Sequence, residues 1–110
     1  MSEWTTVCQY QDLTPNTGIC ALFEKEHVAI FYCKRSEQLY AVSNVDPIAK
    51  VSVLSRGIMA SLQEQMYVAS PLYKQHFNLK TGECLESPEH TLKVYQIRNE
   101  NDQIQLKQAV

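Results

Sequence analysis

Two short loops in the middle of the chain, each containing a proline, carry most of the information in this sequence. Residues 40–48 read YAVSNVDPI, and the chain continues to LSRG at residues 54–57. Residues 68–73 read VASPLY and are followed by HFNLKTGECL at residues 76–85. Proline cannot donate to a strand ladder, so each of these prolines indicates a loop that follows an apolar strand. The sequence therefore predicts two strand-to-loop units of similar construction.

Short β-rich runs separated by turn residues flank these loops, and no segment shows the 3.6-residue apolar period of a long helix. This pattern is typical of an all-β sandwich or barrel. Polar turns are expected at residues 24–26, 34–37 and 99–102, and the stretch 44–57 is expected to be irregular. The predicted strands are, in chain order, residues 4–8, 19–23, 27–33, 39–43, 66–70, 76–79, 93–98 and 103–107.

The composition indicates one ordinary globular domain over residues 1–110, with 45% hydrophobic and 20% charged residues. Its formal net charge of -2 argues against a nucleic-acid partner. No apolar run approaches the roughly 20 residues of a membrane helix. Residues 1–4 have neither the basic leader nor the apolar core of a signal peptide. We therefore expect a cytoplasmic protein that has no membrane partner.

The four cysteines do not form a recognisable metal or redox motif. Cys8, Cys20, Cys33 and Cys84 include no C-x-x-C pair, and none lies two or three residues from a histidine. We expect free thiols that are small buried or half-buried residues, the alternative being a metal or reactive-thiol role. The chain also lacks the common nucleophile, phosphate-loop and dinucleotide motifs. No catalytic residues of its own are therefore expected.

The order of these segments resembles the Rieske [2Fe–2S] domain over about residues 28–106. In that family, loop one carries Cys-Pro-His and loop two carries Cys-Pro-x-His, whereas the four ligand positions here correspond to Asp46, Ile48, Ser70 and Tyr73. A Rieske centre needs two thiolates and two imidazoles. The resemblance thus implies a Rieske-like antiparallel β-sandwich or barrel whose two-loop tip subdomain, about residues 44–57 and 70–76, binds no metal.

A closer resemblance rests on S-N-x-D-P at residues 43–47, LSRG at residues 54–57 and A-S-P-L-x-K-Q-x-F at residues 69–77. These segments resemble the small subunit of bacterial NAD(P)H-dependent assimilatory nitrite reductase, over nearly the whole length. The resemblance implies a non-catalytic partner of a large subunit that reduces nitrite to ammonium in nitrate assimilation. FAD, siroheme, an iron–sulfur cluster and the NAD(P)H site are then expected on the large subunit, and no cofactor on this chain.

Retention of the loops without their ligands suggests that the tip has become a protein-docking surface. Two alternatives concern single residues: Asp46 before proline is often a turn device that accepts hydrogen bonds from its own following backbone, and Tyr73 could pack over the former cluster site. Phe77 and Leu79 are expected in the core. The docking candidates are Asp46, Arg56, Leu72, Tyr73, Lys74 and His76.

Two other functions compete with this hypothesis. The chain could be a Rieske-type, ferredoxin-like electron carrier, which iron content and visible absorption would reveal. It could instead be a small hydrolase or ligand-binding domain that uses an empty tip pocket. A ligand that binds the native state would then raise the apparent thermal stability of the isolated chain.

Overall fold

The computed structural model describes residues 3–109, so both ends of the predicted domain, residues 1–2 and 110, lie outside the described range. Within that range the chain forms eleven β-strands and two short 3₁₀ turns, Tyr10–Asp12 and Leu54–Arg56. None of its helices is long and apolar enough to cross a membrane. The strands are β1 Thr5–Gln9, β2 Gly18–Phe23, β3 Glu26–Cys33, β4 Gln38–Ser43, β5 Val45–Asp46, β6 Val51–Ser52, β7 Ile58–Leu62, β8 Gln65–Ala69, β9 His76–Asn78, β10 Tyr95–Glu100 and β11 Gln103–Gln108.

All strand pairs are antiparallel, which confirms the predicted all-β class. The strands form three three-stranded sheets, in the orders β1-β11-β10, β2-β3-β4 and β7-β8-β9, and a two-stranded sheet of β5 and β6. The loops that the sequence singles out follow β4 and β8, the last strand and the middle strand of two different sheets. The fold therefore brings together two loops that are distant in sequence.

Strand β7 was missed by the sequence analysis, and the stretch 44–57 is less irregular than expected. Residues 58–62 read IMASL, which shows no clear alternation, and Ile58 is exposed. The strand forms because it pairs in register with β8, with Ile58 opposite Ala69. Strands β5 and β6 likewise depend on each other across a short turn. Tertiary pairing rather than local propensity decides these three strands.

Strand β3 supplies both hydrophobic clusters because its two faces are buried. Its even-numbered Val28 and Ile30 pack with Ile104 and Leu106 of β11. Its odd-numbered residues point the other way, into the cluster that lies next to the tip loops. The members of that cluster are Ala29, Phe31, Val42, Leu54, Val68, Phe77, Leu79, Cys84 and Leu92. The expected core positions of Phe77 and Leu79 are therefore confirmed.

Three hairpins turn on two residues that both have positive φ, although none of these residues is glycine. The pairs are Glu24–Lys25, Gln63–Glu64 and Asn101–Asp102, with φ angles between 50° and 68°. Positive φ at both central residues matches the right-handed twist of a hairpin. The predicted three-residue turn 24–26 is corrected here, because Glu26 pairs with Phe23 and begins β3.

Glycine at one of these turns is expected to stabilise the protein. A non-glycine residue in the left-handed region costs about 1 kcal/mol, so Glu64→Gly should raise the free energy of unfolding by about that amount. Urea denaturation measures the change. Glu100→Gly, on the extended strand β10, is the matched control and should lower stability instead. Equal destabilisation by both variants would contradict the assigned turn conformation.

A polar cluster holds the β2–β3 hairpin against β10. The Tyr95 hydroxyl donates to Glu26 Oε1 at 2.7 Å, and Lys93 Nζ lies 3.0 Å from the same oxygen. The hydrogen bond from Tyr95, followed by that from Lys93, lowers the pKa of Glu26 below its ordinary 4.5. Burial raises the pKa of Tyr95, and its bond to the Glu26 carboxylate raises it further.

Because of this cluster, we expect the free energy of unfolding to depend on pH in the acidic range. The folded-state pKa of Glu26 lies below its unfolded value, so its contribution is present above pH 4.5 and is lost as the pH falls through the lower folded value. Tyr95→Phe removes the main cause of the shift. In that variant, an NMR titration of Glu26 should show a higher pKa than in the wild type. An unchanged titration midpoint would exclude the hydroxyl as the cause.

Candidate functional site

The tip of the molecule consists of loop one, residues 44–57, and loop two, residues 70–76. The two loops share one backbone design. In loop one, Lys50 N donates to Asp46 O at 2.7 Å, and in loop two, Lys74 N donates to Ser70 O at 2.9 Å. Each loop thus contains a closed turn of five residues, 46–50 in loop one and 70–74 in loop two, with proline as the second residue. Each lysine has positive φ, 62° in loop one and 58° in loop two.

The first residues of the two turns are joined by a hydrogen bond. Ser70 Oγ donates to Asp46 Oδ2 at 2.5 Å, and both residues are only 1% exposed. The other carboxylate oxygen, Oδ1, accepts from Ile48 N at 2.8 Å and from Ala49 N at 3.1 Å. These bonds confirm the turn interpretation of Asp46. They also bury its side chain under the surface of the tip, where it links loop one to loop two.

Asn44 holds residues 52–55, the later part of loop one, through hydrogen bonds. It is 3% exposed, its Oδ1 accepts from Ser55 N at 2.6 Å, and its Nδ2 donates to Ser52 Oγ at 2.7 Å. Its backbone carbonyl accepts from both Val53 N and Leu54 N at 2.9 Å. Buried polar groups of this kind are costly unless they are paired, so the satisfied amide defines one conformation of the loop.

The surface of the tip combines exposed apolar and exposed basic residues. Tyr73 is 62% exposed, Leu72 is 46% exposed, and Arg56 and Lys74 are exposed as well. With most of its side chain in solvent, Tyr73 is not packed over the former cluster site, contrary to that alternative. Ile48 packs against the hydrophobic cluster below the tip instead.

His76 lies at the end of loop two and is held by Glu86, a residue that the sequence analysis did not single out. Its Nδ1 lies 2.7 Å from Glu86 Oε2, and its backbone N donates to Oε1 at 2.8 Å. Burial raises the pKa of Glu86, but the hydrogen bonds from His76 outweigh it and the net shift is downward. No local pattern links the two residues, because ten positions separate them.

The residues at the four ligand positions do not fit a [2Fe–2S] cluster. Asp46 and Ser70 use their oxygens on each other and on loop backbone, Ile48 has no donor atom, and Tyr73 faces solvent. Over residues 3–109, no group of three or more His, Cys, Asp or Glu side chains is placed to hold a metal ion. A thiolate and imidazole set is what a Rieske centre requires.

The cysteines are distributed over the fold and are all free within the described chain. Cys33 and Cys84 are buried and Cys8 is half-buried, as expected. The prediction was wrong for Cys20, which is exposed because it lies on the edge strand β2. Partial desolvation raises the pKa of the Cys8, Cys20 and Cys84 thiols, which makes them less reactive.

A groove of the described structure lies away from the tip. It has a volume of about 830 Å³ and is bordered by β4, the β7–β8 hairpin, the turn after β9, and β10. Its lining includes the apolar residues Leu39, Tyr40, Met66 and Val94, and no residue of loop one or loop two lines it. The geometry thus separates the groove from the former ligand positions.

Comparison with known proteins agrees with this geometry. The family model described as a Rieske-like [2Fe–2S] domain matches residues 3–107. The nitrite reductase (NADH) small subunit of Escherichia coli is 45% identical over 107 residues, which cover 97% of this chain and 99% of that one. The NMR structure of the E. coli protein NirD superimposes with a TM-score of 0.90 at 44% identity, with all of both chains covered.

Two more distant similarities extend the comparison. The ferredoxin of carbazole 1,9a-dioxygenase from Nocardioides aromaticivorans has a TM-score of 0.81 at 19% identity, covering 96% of this chain and 98% of that one, and it shares the fold. The Klebsiella oxytoca nitrite reductase [NAD(P)H] large subunit is 29% identical over 101 residues, which are 92% of this chain but 10% of that protein. The chain belongs to the Rieske-like family and, within it, to the nitrite reductase (NADH) small subunits.

Proposed function

We propose that this chain is the non-catalytic small subunit of a cytoplasmic NAD(P)H-dependent nitrite reductase and binds the large subunit through its tip. Full-length similarity to nitrite reductase small subunits supports the assignment. The Klebsiella similarity adds a second argument, because there a region like this chain is part of a large subunit. The presence of such a region within a large subunit supports contact between this chain and a separate large subunit.

One observation carries the docking proposal: the Asp46–Ser70 hydrogen bond holds the two tip loops together at positions where the resemblance places metal ligands. The chain keeps the loop frame without the ligand set, and the frame presents Leu72 and Tyr73 to solvent. Tyrosine and arginine are among the residue types that are enriched at the hot spots of protein interfaces. We therefore assign contact to Arg56, Leu72, Tyr73, Lys74 and His76, and support from below to Asp46.

The same proposal places all cofactors on the large subunit. Nitrite reduction to ammonium would use the siroheme, iron–sulfur cluster and FAD of that subunit, with NAD(P)H as reductant. The donor chemistry at the four ligand positions supports a small subunit that holds no cluster. Iron analysis and visible absorption of the purified chain test this point. A Rieske-type paramagnetic signal would favour the electron-carrier alternative instead.

Reconstitution with the large subunit tests the docking proposal. Tyr73→Ala and Arg56→Glu should each weaken binding by about tenfold or more, since both replace side chain types that act as interface hot spots. Titration calorimetry measures affinity, and nitrite-dependent NAD(P)H oxidation measures function. Leu22→Ala is the control, because Leu22 is 67% exposed on β2, outside the tip. Wild-type affinity in every folded tip variant would overturn the proposal.

A further inference from the structure

Exposed apolar side chains are concentrated around the tip. Four of the seven large hydrophobic residues that are exposed in residues 3–109 lie in loops one and two: Val45, Val51, Leu72 and Tyr73. Two more adjoin these loops. Ile58 follows loop one directly and pairs with Ala69, and Leu85 N donates to His76 O at 2.8 Å. Only Leu22 lies elsewhere in that range. Such a concentration marks an interaction surface.

The charges of the tip have the opposite sign to those of the rest of the chain. Loops one and two contain three basic residues, Lys50, Arg56 and Lys74, and all three are exposed. Their single acidic residue, Asp46, is buried. The remainder of the chain has seven basic and eleven acidic residues, a formal charge of -4. Loops one and two therefore carry a formal charge of +2 on a chain that is otherwise negative, and the acidic residue Glu86 lies beside them at His76.

The loops hold two of these cations in fixed, equivalent places. Lys50 and Lys74 each close the five-residue turn of their loop, and the first residues of the two turns are joined by the Asp46–Ser70 bond. The two lysines therefore occupy the same position in two turns that this buried contact joins. A binding surface whose backbone is fixed in advance loses less entropy when it binds.

From these observations we infer that the tip is guided electrostatically onto an acidic rim that surrounds an apolar patch of the large subunit. This inference rests on the proposed docking function and adds the chemistry of the partner surface. Leu72 and Tyr73 would occupy the apolar centre, and Lys50, Arg56 and Lys74 would face carboxylates around it. Complementary charges of this kind act mainly on the association rate.

Association kinetics between the full chain and the large subunit test the inference. For the wild type, the association rate constant should fall by about tenfold or more when NaCl is raised from 50 to 500 mM, because exposed charges are screened. Lys50→Glu/Lys74→Glu should lower that constant by about tenfold at low salt, with a smaller change in the dissociation rate. The double variant should also lose most of the salt dependence.

Lys34→Glu/Arg35→Glu is the matched control, because it changes the net charge by the same amount in the exposed β3–β4 turn, at the end of β3 opposite the tip. Its association rate should remain within about twofold of the wild type if location matters. Equal slowing by both double variants, or a salt-independent wild-type rate, would overturn the acidic-rim inference and leave tip docking intact. Wild-type affinity in Tyr73→Ala and Arg56→Glu would overturn the docking function itself.

Discussion

Asp46→Ala is expected to lower the free energy of unfolding by about 3 kcal/mol. The substitution removes a buried carboxylate that accepts from Ser70 Oγ, Ile48 N and Ala49 N, and it leaves these three donors without a partner. Urea denaturation gives the overall loss. Hydrogen exchange gives its location, since the amides of Ile48 and Ala49 should lose their protection first.

Asp46→Asn separates the hydrogen bonds from the charge. Its amide oxygen can accept from the same two backbone N–H groups, and its nitrogen can donate to Ser70, so the expected loss is about 1 kcal/mol. A double-mutant cycle with Ser70→Ala should show a coupling of about 2 kcal/mol, because the two side chains are in direct contact. Equal losses for the alanine and asparagine variants would show that the bonds to Asp46 do not stabilise the tip.

Asn44→Ala should cost about 2 kcal/mol and should loosen loop one more than the sheets. The side chain is buried and bridges Ser55 N and Ser52 Oγ, so its removal leaves the partly buried Ser55 N–H without this partner. Thermal unfolding measures the loss of stability, and amide exchange at Ser55 reports the local effect. Arg56, a proposed contact residue, follows Ser55 directly, so the affinity of the variant for the large subunit should fall as well.

Asn99→Ala provides the comparison, since Asn99 is exposed on strand β10. A surface substitution of this kind is expected to change stability by less than about 0.5 kcal/mol. An equally small loss of stability in Asn44→Ala and Asn99→Ala would show that the buried Asn44 amide does not hold loop one in place.

Much of this fold was predicted from the sequence because most of its strands are specified by patterns over a few neighbouring residues. The apolar runs of β2, β3 and β4 are long and bounded by polar turns, and their strands were predicted to within one residue at each end. Strand β7 could not be predicted in the same way. IMASL has no clear period, and its conformation depends on hydrogen bonds to β8.

The candidate site shows the same division. Asp before proline at residues 46–47 predicts a turn, and the structure contains that turn. Nothing local predicts that this carboxylate meets Ser70, which lies 24 positions further along the chain. The pairing of His76 with Glu86 and the exposure of Tyr73 could likewise not be predicted from the sequence. Each depends on where a second element is placed in space.

The sequence alone determined the all-β class, the places where proline ends regular structure, and the absence of thiolate and imidazole at the four ligand positions. These properties depend on residue type and on patterns over a few neighbouring residues, and both can be read from the sequence. Only the tertiary structure decided that Asp46 is buried and bonded across the tip, and that Lys50 and Lys74 end equivalent turns in the two loops. Such contacts join residues that only the packing of separate sheets brings together.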